Sequence, residues 1–149
     1  MAASIRAAGL PDLPALAALR RDFCAGEAHP MDPAATNQVL ARLLEHPEWG
    51  GALLAEEGGR AAGYAVWTLG YSLEFGGRDA LLDELYVVPE AREQGLGAAL
   101  LEAAAATAAG AGAGHLHLEA MHGDAKADYY QRLGFTPRPS AYMTRPMRG

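Results

Sequence analysis

The residues best placed to do chemistry lie in one stretch, Asp83-Glu84-Leu85-Tyr86-Val87-Val88-Pro89-Glu90-Ala91-Arg92-Glu93-Gln94-Gly95-Leu96-Gly97-Ala98. An acidic pair opens it, and an arginine followed by Gly-x-Gly closes it. Glycines let backbone N–H groups come close to a ligand. A helix that starts at such a loop leaves its first N–H groups without internal partners and presents its positive end. Together these make an anion site suited to a phosphate or pyrophosphate, to which Arg92 would add charge. Gly-x-Gly alone describes a tight helix start with no ligand equally well. No Gly-Lys-Ser/Thr follows, so a Walker loop is excluded. A Rossmann fingerprint would need one more glycine and a strand-first βαβ unit, and neither fits.

The elements that must position this stretch can be read on both sides of it. Ser4–Ala7 reads as a short first strand. Asp12 reads as the N-cap of a helix over about Leu13–Phe23, with Leu13, Leu16, Arg20 and Phe23 at helical spacing. Two prolines mark residues 26–33 as a loop. A second helix is expected over about Ala34–His46, with Val39, Leu40, Leu43 and Leu44 inward, stopped by Pro47. The period then changes. Ala52–Ala55 and Ala62–Tyr71 read as strands, Gly76–Gly77 as part of a hairpin turn, and Leu81–Val88 as a strand ending at Pro89. Strong helix formers run from Gly95 to about Ala109, closed by Gly110, Gly112 and Gly114. His115–Met121 alternates as a strand. Asp124 would cap a short helix to Leu133, and Ala141–Met147 would be a last strand. The order β-α-α-β-β-β-α-β-α-β implies an α/β mixed sheet with helices on its faces, in one domain over residues 1–149.

Composition bounds the partners. The chain has 149 residues, 18 glycines, one cysteine and a formal net charge of −6. That charge argues against sequence-independent nucleic-acid binding and is compatible with a cationic partner. The longest uncharged run, Ala103–Gly114, is too short and too Gly-interrupted to span a bilayer, so no membrane association is expected. One cysteine excludes an internal disulfide, and a reducing cytoplasm is the simplest setting. Cys24 reads as a small hydrophobe. His115 and His117 share a strand face, but no third ligand is evident with them or His122, so no metal is expected.

Strand, Val-x-Pro and Arg-x-x-Gly-x-Gly opening a helix resemble the signature motif of the GNAT (Gcn5-related N-acetyltransferase) family. Tyr129-Tyr130-Gln131-Arg132-Leu133-Gly134-Phe135 is similar to that family's second motif. The resemblance covers the chain from about Ala52 onward. It implies a mostly antiparallel sheet with helices on both faces and acetyl-CoA as co-substrate. It implies that pantetheine lies along Leu85, Tyr86 and Val87. The pyrophosphate would sit on Glu93, Gln94, Gly95, Leu96, Gly97 and Ala98, with Arg92 as the motif arginine. Glu93 departs from the family's usual Gly or basic residue. The family's Asn before the second motif falls by spacing on Gly123.

By the same resemblance Tyr130 is the general acid that protonates the leaving thiolate; packing of the last helix is the alternative role. The acceptor amine must lose a proton, and Asp83, then Glu84, are the candidate bases, with Glu119 or a water-mediated residue behind them. Strand alternation places Asp83 and Glu84 on opposite faces. The acidic pair is similar to that of the spermidine/spermine-type branch, where it lies near the substrate amine. Glu27, His29 and Asp32 in the first interhelical loop, Tyr71 in the hairpin and Glu119 are candidate acceptor contacts. The implied reaction is direct transfer of acetyl to a primary amine of a small cationic molecule. A protein or peptide amine is the alternative, and a non-catalytic acyl-CoA sensor is a third reading. The resemblance also allows a homodimer.

Overall fold

A computed structural model describes residues 3–26, 32–120 and 125–147. The chain divides into two compact units, Met1–Glu119 and Ala120–Gly149. The first unit holds five strands, β1 (Ser4–Ala7), β2 (Gly50–Glu57), β3 (Arg60–Ser72), β4 (Gly77–Val87) and β5 (Leu116–His117), in the order β1-β2-β3-β4-β5. All neighbours run antiparallel except β4 and β5, which are parallel. Its helices are α1 (Leu13–Ala25), α2 (Pro33–Glu45) and α3 (Leu96–Gly110).

The sheet is apolar on both sides, as a sheet covered on both faces requires. Leu16 and Leu19 of α1 and Leu40 of α2 pack on Ala52, Leu54, Tyr64 and Val66. Residues of opposite parity face α3, whose Leu96, Leu100, Leu101, Ala104 and Ala108 are buried. Gly63 leaves room for the neighbouring β4 backbone and for Leu100 of α3. A Cβ there would meet Tyr86 O at 2.6 Å and Leu100 Cδ1 at 3.2 Å. The alanines of α3 are thus a packing device that brings helix and sheet close together.

Three local expectations are corrected. Asp12 makes no cap bond to α1. Its carboxylate accepts from Gly9 N–H and from Arg6, fastening the turn before the helix to β1. The cap of α2 follows the ordinary rule, with Asp32 Oδ1 accepting from Ala34 N–H at 3.1 Å. Val39, expected inward, is 69% exposed. The fifth strand is shorter than its alternation suggests, because the β4–β5 ladder has only the pairs Ala80↔Leu116 and Leu81↔His117.

The second unit contains α4 (Ala125–Arg132). Tyr130 lies on it, with Tyr129 and Phe135 edge-on to its ring at 5.4 and 6.0 Å. Phe135 N–H returns to Tyr130 O at 3.1 Å, closing the helix at Gly134. Residues 141–147 form no strand. Pro146 removes a ladder donor there.

Candidate functional site

Two features of the first unit meet at β4. The first is its outer edge. Val88 N–H bonds Ala62 O at 2.9 Å, so the alternate residues Leu85 and Val87 turn their N–H and C=O groups away from β3. With β5 paired only at Ala80 and Leu81, no strand among the described residues continues along this edge. Arg92 folds back onto it. Its Nε donates to Val87 O at 2.8 Å, and its guanidinium lies 5.6 Å from the Tyr86 ring centroid.

The loop that follows turns backbone donors outward. Glu93 and Gly95 are left-handed, with φ of 65° and 80°. Glu93 is the only non-glycine with positive φ among the described residues. Alternating left-handed residues curl successive N–H groups into an anion-binding concavity. The first helical bond of α3 is Ala99 N–H to Gly95 O at 3.0 Å, and no side chain caps the helix. The N–H groups of Glu93, Gln94, Gly95, Leu96, Gly97 and Ala98 therefore have no backbone acceptor among the described residues. Six such donors at the positive end of a 15-residue helix suit a pyrophosphate. The Glu93 carboxylate opposes it.

The second feature is a cleft of about 900 Å³ on the α1/α2 side of the sheet, with Asp83 and Glu84 both in its wall. Strand alternation would have placed them on opposite faces. A β-bulge overturns that: Val66 pairs with Glu84 and Trp67 with Leu82, leaving Asp83 as the extra residue. The bulge therefore turns both carboxylates to the cleft side.

The two acids are in different states. Glu84 is held from two sides. Arg20 donates Nε to Oε1 at 2.8 Å and Nη2 to Oε2 at 2.7 Å, and Tyr64 Oη donates to Oε1 at 2.9 Å. Burial disfavours the Arg20 cation, but Glu84 more than offsets this and raises the Arg20 pKa. Burial, then Glu84, keeps Tyr64 protonated. Asp83 has no hydrogen-bond partner among the described residues. Desolvation by the cleft wall raises its pKa, the Glu84 carboxylate adds to this, Arg20 opposes it, and Glu119 adds a smaller push. A carboxylate without a donor and with a raised pKa suits proton abstraction.

The other expected contacts divide. Asp32 lines the cleft, whereas Tyr71 is 79% exposed on the hairpin and does not. Glu27, His29, Gly123 and Asp124 lie outside the described residues. Arg42, Glu48 and Trp49, which carry no motif, do line the cleft. The one signal for them is a tryptophan at a helix-to-strand junction. Cys24 is half-buried. His117 is engaged by Asp79 at 3.1 Å, and His115 and His117 lie against the Phe75 ring. No group of three metal-ligating side chains occurs among the described residues, and no helix among them is long and apolar enough to cross a membrane.

Comparison with known proteins gives a consistent result. Residues 14–135 match the model of the acetyltransferase (GNAT) family. YhfO of Bacillus subtilis (strain 168), described as an uncharacterized N-acetyltransferase, is 32% identical over 133 residues, covering 89% of each chain. The integron cassette protein HFX_CASS3, from the mobile metagenome of Cole Harbour Salt Marsh, superposes with a TM-score of 0.86 at 30% identity, over 97% of this chain and 91% of that one. The aminoglycoside N-acetyltransferase AAC(6')-Iy, solved in complex with CoA, shares the fold with a TM-score of 0.80 at 19% identity, over 97% of this chain and 95% of that one.

Proposed function

The chain belongs to the GNAT family of acetyl-CoA-dependent N-acetyltransferases, and from that premise we propose that it acetylates the primary amine of a small cationic molecule by direct transfer. The observation that carries this reading is the run of N–H groups from Glu93 to Ala98 with no backbone acceptor among the described residues, on the strand-loop-helix whose strand also bears Asp83. The family match spans residues 14–135, which supports one transferase domain along the chain.

Leu85, Tyr86 and Val87 hold the pantetheine arm, with Leu85 and Val87 supplying outward backbone groups. Arg92 and the Glu93–Ala98 N–H groups hold the pyrophosphate. Bound acetyl-CoA supplies a thioester carbonyl and a thiolate leaving group. Outward N–H groups of β4 stabilise charge on the carbonyl oxygen. Asp83 takes a proton from the acceptor ammonium, freeing the lone pair that attacks. Glu84, locked by Arg20 and Tyr64, fixes the bulge that presents Asp83. Tyr130 Oη protonates the departing sulfur. No metal enters the scheme. Four carboxylates (Asp32, Glu48, Asp83, Glu84) against two arginines (Arg20, Arg42) in the cleft wall support a cationic amine.

Isothermal titration with acetyl-CoA tests the cofactor half. Micromolar binding is expected in the wild type, with loss in Gly95→Glu, where a side chain must adopt φ of +80° beside the phosphates. Equal binding by a Gly95→Glu protein with native circular dichroism would remove the loop from the site. An amine panel tests the other half: acetylation of peptides alone would sink the small-molecule reading, and binding without turnover would favour a sensor. Tyr130→Phe should lower kcat by about 10²-fold. Full kcat across pH in that variant would remove Tyr130 from the chemistry.

A further inference from the structure

The cleft carries one positive and one negative side chain that nothing else in the described chain uses. Six charged residues line it. Arg20 and Glu84 neutralise each other through two hydrogen bonds. Asp32 is committed to the start of α2, and Glu48 to His46 Nδ1 at 2.7 Å. That leaves Asp83 and Arg42, neither of which has a hydrogen-bond or ion-pair partner among the described residues. Arg42 makes a cation–π contact. Its guanidinium lies 5.7 Å from the centroid of Trp49, and the His46 ring stacks on the same indole at 3.9 Å and 14°. A cation–π contact uses no N–H donor as a hydrogen bond to a carboxylate would, so the N–H fork stays available to one. The uncharged part of the wall is mostly apolar and includes Leu43, Val66 and Leu69.

We propose that Arg42 is the anion-binding pole of this cleft, and that the acceptor is an amine that also bears a carboxylate: an amino acid or amino-acid derivative. The proposal rests on reading the cleft as the acceptor site. A polyamine would set a second ammonium against Arg42, where like charges repel. An amine with one carboxylate satisfies both poles.

Matched acceptors that differ only in the carboxylate test this: lysine against cadaverine, and leucine against isopentylamine. For each pair, kcat/KM is measured with acetyl-CoA and corrected to the free-amine fraction, for wild type, Arg42→Met and Arg42→Lys. Binding of the corresponding N-acetyl products, with CoA present, is titrated in parallel. The carboxylate-bearing member should be preferred by about tenfold or more, the scale of a charge-assisted bidentate pair. That ratio should fall to within about twofold in Arg42→Met and remain partial in Arg42→Lys. Equal or better use of the decarboxylated amine by wild type would overturn the proposal, as would a preference that survives Arg42→Met. If no amine turns over, the transfer reading fails by itself. The product titrations then decide the inference alone: a carboxylate preference lost in Arg42→Met upholds it, and its absence overturns it.

Discussion

The loop that opens α3 and the cleft beneath α1 and α2 lie on the same stretch of chain around β4, yet they are made of different material. The loop is backbone: six N–H groups from consecutive residues, aimed by left-handed φ at Glu93 and Gly95. The cleft is side chain: groups from α1, α2, β3, β4 and the segment between α2 and β2, brought together across more than 60 positions. Backbone donors depend on conformation and hardly on side-chain identity, so a family can keep them while the cleft changes. The cleft depends on which side chains converge, and so, as the proposed acceptor site, it would vary with them.

Asp83→Asn separates the two regions most sharply. It should lower kcat/KM by about 10²- to 10⁴-fold, the range of a lost general base, and leave acetyl-CoA affinity near wild type. The raised pKa of Asp83 also fixes a sign. The base works only when ionised, so activity should fall as pH drops through a value above the ordinary aspartate figure of about 3.9. An acid limb unchanged in Asp83→Asn would assign the base elsewhere.

Glu84→Gln probes the locked neighbour. Arg20 would be left half-buried without its counter-charge, and stability should fall by about 3 kcal/mol, at the low end for breaking such a pair because some exposure remains. Removing one carboxylate beside Asp83 and freeing Arg20 both lower the Asp83 pKa, so the surviving acid limb should move to lower pH. Denaturant titration and the pH–rate profile read the two effects. Disappearance of the limb with no loss of stability would make Glu84 the base and Asp83 its support.

Glu93→Gly is the smallest change and acts on the loop alone. It relieves a left-handed non-glycine but adds backbone entropy to the unfolded chain, so stability should move by less than about 1 kcal/mol. It also removes a negative charge from the phosphate site. Acetyl-CoA affinity should rise by about threefold at low salt, with the gain shrinking as salt screens it. A gain that is independent of salt would mean that conformation, not charge, was limiting.

The order of elements was legible because each signal is local. Pro47 after α2 and Gly95 before α3 act within a few residues of themselves. The glycine loop was legible for the same reason, since its donors are contiguous in the chain. Where the expectations failed, a partner outside the element had the larger say, or the ladder ended early. Asp12 is drawn to Arg6 instead of capping α1. The fifth strand stops after two pairs, and no strand among the described residues continues along the edge beside Leu85 and Val87.

The sequence by itself determined that a strand, a glycine loop and a helix follow one another within a mixed sheet, because spacing along one segment specifies it. Only the tertiary structure decided that Asp83 and Glu84 share a cleft, that among the described residues Glu84 is tied and Asp83 is not, and that Arg42 and Trp49 belong to the same wall. A bulge changes the facing of every residue beyond it, and a side chain's partner is fixed by packing between elements far apart in the chain.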